Sequence, residues 1–311
     1  MTVASFDIGG TRIKHGAVAD DGTILAQDSL LTPLSDVTEF LSALTEIVTA
    51  YKTTFPELSA VGISAPGLVS ADGVMTTFGK LYNYYGLPLA ENLSDTTKLP
   101  VFVENDANCA AIAEHWLGAA RAVDNYLVVT LGTAVGGGII SGGKIFRGAH
   151  GMAGEFGSML THGLTRVGEL EDVSQQYHSS AINGLLRRYN DAQKSVSHGK
   201  AVPLTEAYDV IARVKAEENL AEDVFDTYLD DVCLGLMNLT ALFDPKLILI
   251  GGGISSSEAF LVALKYRFER LVSRHFGLNS MKENGILPRL AACQLRNDAG
   301  LLGAAYITQT R

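Results

Sequence analysis

Cysteine is scarce in this chain. Cys109, Cys233 and Cys293 stand far apart, are odd in number and show no C-x-x-C spacing. That pattern excludes a disulfide framework and suits a reducing compartment. Basic charge is short too: 24 basic against 34 acidic side chains leave a formal charge of −10. Such a balance disfavours nucleic acid or an anionic membrane as partner, because neutralising phosphates needs clustered Lys and Arg. A small anion bound locally remains compatible. No run approaches the ~18 apolar residues of a membrane span, and no basic, long apolar leader precedes the first strand pattern. A cytoplasmic soluble protein is expected. The usual nucleotide fingerprints are missing as well, since there is no G-x-x-x-x-G-K-[ST] run and no strand leads into G-x-G-x-x-G.

What is present is a chain of 311 residues, 47% hydrophobic and 19% charged, long enough for two ordinary domains with cores of their own. Val3 to Phe6 is apolar and runs into Asp7-Ile8-Gly9-Gly10-Thr11. Strand-like character resumes from Ile13 to Ala19, turns at Asp20-Asp21-Gly22, and continues from Thr23 to Leu31. Adjacent glycines in such a hairpin either make a plain tight turn or let backbone amides face a ligand, with Thr11 adding a hydroxyl. Helix-period residues from Val37 to Tyr51 and a buried strand, Val61 to Ser64, follow. Further on, Tyr82, Tyr84 and Tyr85 surround Asn83, either to stack on a sugar face or to pack their own loop.

Val101-Phe102-Val103 predicts a strand, and Cys109, Ile112, Ala113 and Trp116 recur at helical spacing after it. Asn105 or Asp106 then starts a helix. A short polar residue there caps first-turn amides; alternatively Asp106, at the carboxyl end of an α/β strand, is a general base aimed at a substrate hydroxyl.

The pattern of residues 3 to 31 then repeats. Asn125 to Leu131 is an apolar strand, Gly132-Thr133-Ala134-Val135-Gly136-Gly137-Gly138 a glycine and threonine turn, and strands at Ile139-Ile140 and Lys144 to Phe146 flank Gly142-Gly143. Internal duplication is the better description. Residues 174 to 243 are mostly helical, including an amphipathic helix from Val224 to Leu242 ending before Pro245. Lys246 to Ile250 is a buried strand terminating in Gly251-Gly252-Gly253. A helix to about His275, a strand from Leu287 to Ala291 and an apolar helix from Asp298 complete the chain. Glycine clusters at three strand ends, with Asp7 and Asp106, supply phosphate-facing amides, a magnesium partner and a base, the parts phosphoryl transfer requires.

In this combination the chain resembles the ROK family of sugar kinases and repressors, within the actin-like ATPase superfamily. DIGGT at 7–11 matches the first phosphate motif, LGTAVGGG at 131–138 the second with Ala134 in place of a usual glycine, and GGG at 251–253 the nucleoside-side motif. ENDA at 104–107 matches the catalytic motif and GAHGMAGEFG at 148–157 the sugar-side signature. The resemblance implies an α/β fold of duplicated actin-like (ribonuclease H-like) domains with an interdomain nucleotide and sugar cleft, here residues 1–118 plus 297–311 and residues 119–296. The last helix would return to the first domain.

It also implies roles. Asp106 would take a proton from a sugar hydroxyl, normally on C6, as its oxygen attacks the γ-phosphorus of ATP. Asn105 would bind the C3 and C4 hydroxyls, Glu155 the C1 and C2 side, and Gly67 would lie against the ring. Asp7, Gly9, Gly10, Thr11, Gly132, Thr133, Gly252 and Gly253 would hold the nucleotide, with Mg2+ near Asp7. A homodimer is implied, and the partner is a small sugar. Repressors of the family carry an added N-terminal helix-turn-helix, whereas here the phosphate motif begins at Asp7; a sugar-responsive regulator or non-catalytic sensor is the alternative.

Two departures bear on specificity. The family commonly places His after Glu-x-Gly, followed by a cysteine cluster that binds structural zinc; this chain has Ser158 and no cysteine from 160 to 180. No zinc site is expected, and His162 and His178 read as surface residues. The second glutamate of the C1/C2 side falls on Glu171 by motif or on Gln175 by distance. Weaker recognition of a free C1 hydroxyl favours the branch without the zinc motif, which resembles β-glucoside and N-acetylmannosamine kinases.

Overall fold

A computed structural model describes every residue except Ser35, Phe78, Lys80, Thr165 and Arg311. The chain opens with a meander of β1 (Thr2–Ile8), β2 (Arg12–Ala19) and β3 (Ile24–Leu31). Helix α1 (Val37–Thr54) follows, started by Asp36, whose carboxylate accepts from Thr38 N at 2.7 Å. Its Phe40, Leu44 and Val48 recur every four residues and are fully buried, so one stripe of the helix enters the core. Next come β4 (Leu58–Ala65), a ribbon of β5 (Val74–Met75) and β6 (Leu87–Pro88), α2 (Leu89–Thr97), β7 (Val101–Asn105) and α3 (Asp106–Trp116).

The second half repeats this plan with β8 (Tyr126–Leu131), β9 (Val135–Ser141) and β10 (Lys144–Ile145). Helices α4 (Gln175–Ser179), α5 (Arg188–Val196), α6 (Ala207–Lys215) and α7 (Asn219–Phe243) precede β11 (Leu247–Gly251). Helices α8 (Glu258–Val272) and α9 (Phe276–Glu283), β12 (Arg289–Ala292) and α10 (Ala299–Thr310) end the chain. The two main sheets run β3-β2-β1-β4-β7 and β10-β9-β8-β11-β12. Each is a meander extended by parallel strands, the duplication the sequence predicts. In both, a central strand covered on two faces reads as a nearly unbroken buried run, Thr2 to Phe6 in β1 and Leu247 to Gly251 in β11.

Two compact units emerge: Met1–Asp124 with Gly138–Gly154 and Gln294–Arg311, and Asn125–Gly137 with Glu155–Cys293. The expected boundaries, 1–118 with 297–311 against 119–296, differ from these units most at 138–154. That segment joins the first unit because Gly138 backs onto α3, where an added Cβ would lie 2.7 Å from Ala111 Cβ, and because Arg147 pairs with Glu104 at 2.6 Å. Helix α10 belongs to the first unit and packs so closely that a Cβ on Gly62 would sit 1.8 Å from the Ala304 carbonyl. It begins at Ala299, one residue later than expected, after a short turn at Arg296–Asp298. The helix expected to reach about His275 is α8, and a further helix not foreseen, α9, starts after it where the His275 ring accepts from Leu278 N at 3.2 Å. Among the described residues, no helix is long and apolar enough to cross a membrane.

Candidate active site

In the first unit, chemistry concentrates where β7 becomes α3. Asn105 is the N-cap, its Oδ1 accepting from Asn108 N at 3.0 Å, while its Nδ2 donates to the Gly67 carbonyl at 3.0 Å. A side-chain amide has two donor hydrogens and two acceptor lone pairs, so one of each stays available for a ligand. Gly67 has φ +91°, and a Cβ there would lie 2.6 Å from the Thr77 carbonyl, so only glycine fits. Asp106 occupies the first turn of α3, is exposed, and accepts from Ala107 N at 2.8 Å. Capping thus falls to Asn105, which leaves Asp106 on the surface; negative charge is favoured at that end of a helix.

Beneath this junction Glu104 is buried, accepting from Asn105 N and Asn108 Nδ2, each at 3.0 Å, and from Arg147 Nε at 2.6 Å. Sequence reasoning missed Arg147, which carries no motif of its own. The demand of Glu104 for a cation follows from its burial, which shows only once the chain is packed.

The turn after β1 holds Gly9, Gly10 and Thr11. Gly9 N donates to the Arg12 carbonyl at 2.9 Å and closes the turn, leaving Gly10 and Thr11 exposed. Asp7 is half-buried before it, and Ser64 Oγ donates to its Oδ1 at 2.8 Å. Burial raises its pKa, opposed by the Ser64 hydrogen bond and by Lys14. The first turn of α10 lies against it, since a Cβ on Gly300 would be 2.4 Å from the carboxyl.

The second unit carries the matching turn. Gly132 N donates to the Ala134 carbonyl at 3.0 Å, leaving Thr133 and Ala134 exposed. The amides of Gly9 and Gly132 are thus hydrogen-bonded within their own turns. Ala134 is absent from the residues with positive φ, so the backbone there does not require the usual glycine. Gln176, unnoticed in the sequence, braces this turn by accepting from Val135 N at 2.7 Å. Gly252 has φ +87° and lies so near β8 that a Cβ would fall 2.3 Å from the Leu131 carbonyl; Gly253 has open space. Beside them a groove of about 660 Å3 is lined by Tyr208, Lys215, Ser256, Glu258, Val262 and Tyr266.

Glu155 and Ser158 flank a short turn and are exposed, and partial desolvation raises the Glu155 pKa. Glu171 is exposed on the turn Leu170–Val173. Gln175 is buried, with Nε2 donating to Ser179 Oγ at 2.5 Å and the Asp231 carbonyl at 3.0 Å. Of the two candidates for the C1/C2 side, Gln175 is thus turned into the core of its unit and Glu171 keeps an available carboxylate. Of the tyrosines, Tyr84 is fully buried against Phe40 with its hydroxyl donating to the Pro33 carbonyl, whereas Tyr82 and Tyr85 are exposed.

His162 is exposed, as expected, and His178 is half-buried. Their rings stack 3.5 Å apart and 12° from parallel, beside the buried Asp231. Three potential ligand atoms lie within 4.8 Å of one another, yet the donors do not suit a metal such as zinc. Parallel imidazoles aim their lone pairs side by side rather than at one point, and Arg188 already places a cation 2.6 Å from Asp231 Oδ2.

The model of the ROK family matches residues 3–311. This chain belongs to the ROK family. Among relatives, a β-glucoside kinase of Listeria monocytogenes is 34% identical over 98% of this chain and 97% of its own length. A β-glucoside kinase of Klebsiella pneumoniae is 32% identical over 98% and 95%. The crystal structure of a ROK family glucokinase from Streptomyces griseus in complex with glucose and AMPPNP matches with TM-score 0.79 at 27% identity, covering 100% of both chains.

Proposed function

We propose that this ROK protein is an ATP-dependent kinase that phosphorylates the C6 hydroxyl of a hexose, with a β-glucoside as best substrate, N-acetylmannosamine next and glucose weaker. The observation that carries the reading is Asp106, an exposed carboxylate at the carboxyl end of β7 beside Asn105 and Gly67. Asn105 offers its spare donor and acceptor to vicinal hydroxyls, and Gly67 admits the ring without Cβ obstruction. Asp106 takes the proton as the C6 oxygen forms a bond to the γ-phosphorus. The bond from that phosphorus to the β,γ-bridging oxygen breaks, its electron pair leaves with ADP, and the carboxyl then returns its proton to solvent.

The turns at Gly10-Thr11 and Thr133-Ala134 present the exposed backbone that phosphate oxygens need. The groove beside Gly252 and Gly253, with aromatic rings of Tyr208 and Tyr266, suits a nucleoside. Asp7 suits Mg2+, since its carboxylate is desolvated and a hydrogen bond orients it; when bound, the ion supplies positive charge to the phosphates.

Ser158 supports the substrate order. Its short side chain lacks the reach of an imidazole, so a free C1 hydroxyl gains less and a substituent there finds room. The two β-glucoside kinase relatives point the same way.

The test is coupled turnover of wild type and Asp106→Asn across cellobiose, gentiobiose, glucose, mannose, N-acetylmannosamine and N-acetylglucosamine. Loss of general-base catalysis is expected to cost about 10²- to 10⁴-fold in kcat with the fold intact. Equal turnover by both proteins removes the catalytic assignment, and a kcat/KM for free glucose far above all glycosides removes the substrate order. Sugar binding without turnover by wild type points to a sensor.

A further inference from the structure

The groove beside Gly252 and Gly253 holds one acceptor that the proposed chemistry leaves unused. Glu258 opens α8, and Glu258, Val262 and Tyr266 recur every four residues, so they line the groove from one face of that helix. Tyr208 and Lys215 line it from α6. The neighbouring serines already have partners. Ser256 Oγ donates to the Gly253 carbonyl at 2.7 Å, and the buried Ser257 caps α8 by accepting from Phe260 N at 3.3 Å. An ammonium such as that of Lys215 can only donate, and a tyrosine hydroxyl does both, so Glu258 is the lining residue that only accepts. It is exposed, and among the described residues no donor or cation stands against its carboxylate.

The order of residues along the chain fixes what each can face. Gly252 packs so near the Leu131 carbonyl that a Cβ would lie 2.3 Å away, and Leu131 precedes the Gly132-Thr133 turn. A single turn, Gly253–Ser256, then leads into α8, so Glu258 is the part of this helix nearest the phosphate turn in sequence. Val262 and Tyr266 follow about 6 and about 12 Å further along the axis. A nucleotide runs in the order phosphate, ribose, base. With its phosphates at residues 132–134, the ribose falls beside Glu258 and the base against Val262 and Tyr266. The chemistry agrees, because a carboxylate repels phosphate oxygens at close range, whereas its two oxygens match the two donors of a vicinal diol.

We propose that Glu258 accepts hydrogen bonds from the 2′- and 3′-hydroxyls of the nucleotide's ribose and so selects a ribonucleotide over its deoxy forms. The proposal deepens the kinase reading above and rests on it for the nucleoside in the groove. Hydrogen bonds to a charged acceptor are stronger than neutral ones, and a missing hydroxyl leaves one carboxylate oxygen facing the sugar without its donor. The groove is open to water, which partly replaces that donor, so the selection is modest.

Calorimetric titration of the full chain with ADP, 2′-deoxy-ADP and 3′-deoxy-ADP, in the presence of magnesium and without sugar, tests this. Wild type is expected to bind ADP about tenfold more tightly than either deoxy form. In Glu258→Ala the affinity for ADP falls by at least about tenfold, and the three ligands bind alike within about twofold, which is the coupling a double-mutant cycle reads. Glu258→Gln, whose amide keeps one acceptor oxygen, falls between the two. Tyr266→Ala weakens all three ligands by about the same factor, because it removes a contact to the base.

Wild type binding the three ligands alike, or Glu258→Ala keeping the preference for ADP, overturns the proposal. So does Glu258→Ala altering the preference between ADP and GDP while the deoxy forms stay disfavoured, since the carboxylate then faces the base. Tyr266→Ala with unchanged ADP affinity removes the nucleoside from the groove and the proposal with it. If ADP binds but no sugar of the panel above is phosphorylated, the kinase reading fails instead, while the titration still decides the role of Glu258.

Discussion

Asp7 places two opposed demands on one carboxylate. Burial raises its pKa above 3.8, whereas Ser64 and Lys14 pull it down by less. A raised folded-state value means that the protonated form is favoured by folding. Its stabilisation is present below the unfolded value and is lost as pH rises through the folded one. At neutral pH the ionised group is a net cost to the fold. Asp7→Asn, which can still accept from Ser64, is expected to raise the neutral-pH Tm by a few degrees while lowering turnover more than about 100-fold. Differential scanning calorimetry beside the coupled assay checks both halves; a fall in Tm contradicts the balance argued for Asp7.

At the scale of elements, Arg147 ties the 147–154 segment to the β7–α3 junction through an ion pair with Glu104. Glu104 has 4% of its side chain exposed and Arg147 35%, with Nη2 at 2.6 Å. Removing the guanidinium takes the cation from a buried carboxylate directly under Asn105 and Asp106, which keeps its hydrogen bonds from Asn105 N and Asn108 Nδ2. Arg147→Met is therefore expected to cost about 3 kcal/mol in denaturant unfolding, the low end for breaking a buried pair because Arg147 is partly exposed. A kcat loss larger than any change in ATP KM is expected with it, since Glu104 also accepts from Asn105 N. A variant as stable and as active as wild type rules out the dependence of the junction on this pair. The close seat of α10 is a second element-scale constraint: at Gly62 a Cβ 1.8 Å from a backbone carbonyl has no room to relax. Gly62→Ala is expected to lower Tm markedly, read by thermal unfolding.

Across the whole molecule, stability is expected to rest on apolar packing and not on metal or disulfide cross-links. No cysteine pairs with another; Cys109 and Cys233 are buried and Cys293 is partly exposed. Desolvation raises the Cys109 and Cys233 thiols above their ordinary range. Thiol titration is expected to find Cys293 alone in the native protein, with Cys109 and Cys233 appearing on denaturation. Dialysis against a chelator is expected to leave Tm within about a degree; a large drop restores the case for a structural metal.

Strand alternation, helical spacing and glycine-rich turns were enough to show two copies of one α/β plan, because periodicity and turn chemistry are local properties of the chain. The same local signals marked Asn105 or Asp106 as the start of a helix after a strand. Whether that carboxylate caps its helix or stands exposed was settled by Asn105, which takes the cap once β7 and β4 bring it to Gly67. Arg147 against Glu104, Gln176 against the 132–135 turn, and His162, His178 and Arg188 around Asp231 are partners separated by 41 to 69 positions. No periodicity records such a separation, and burial, which makes each pairing obligatory, exists only after the chain has packed.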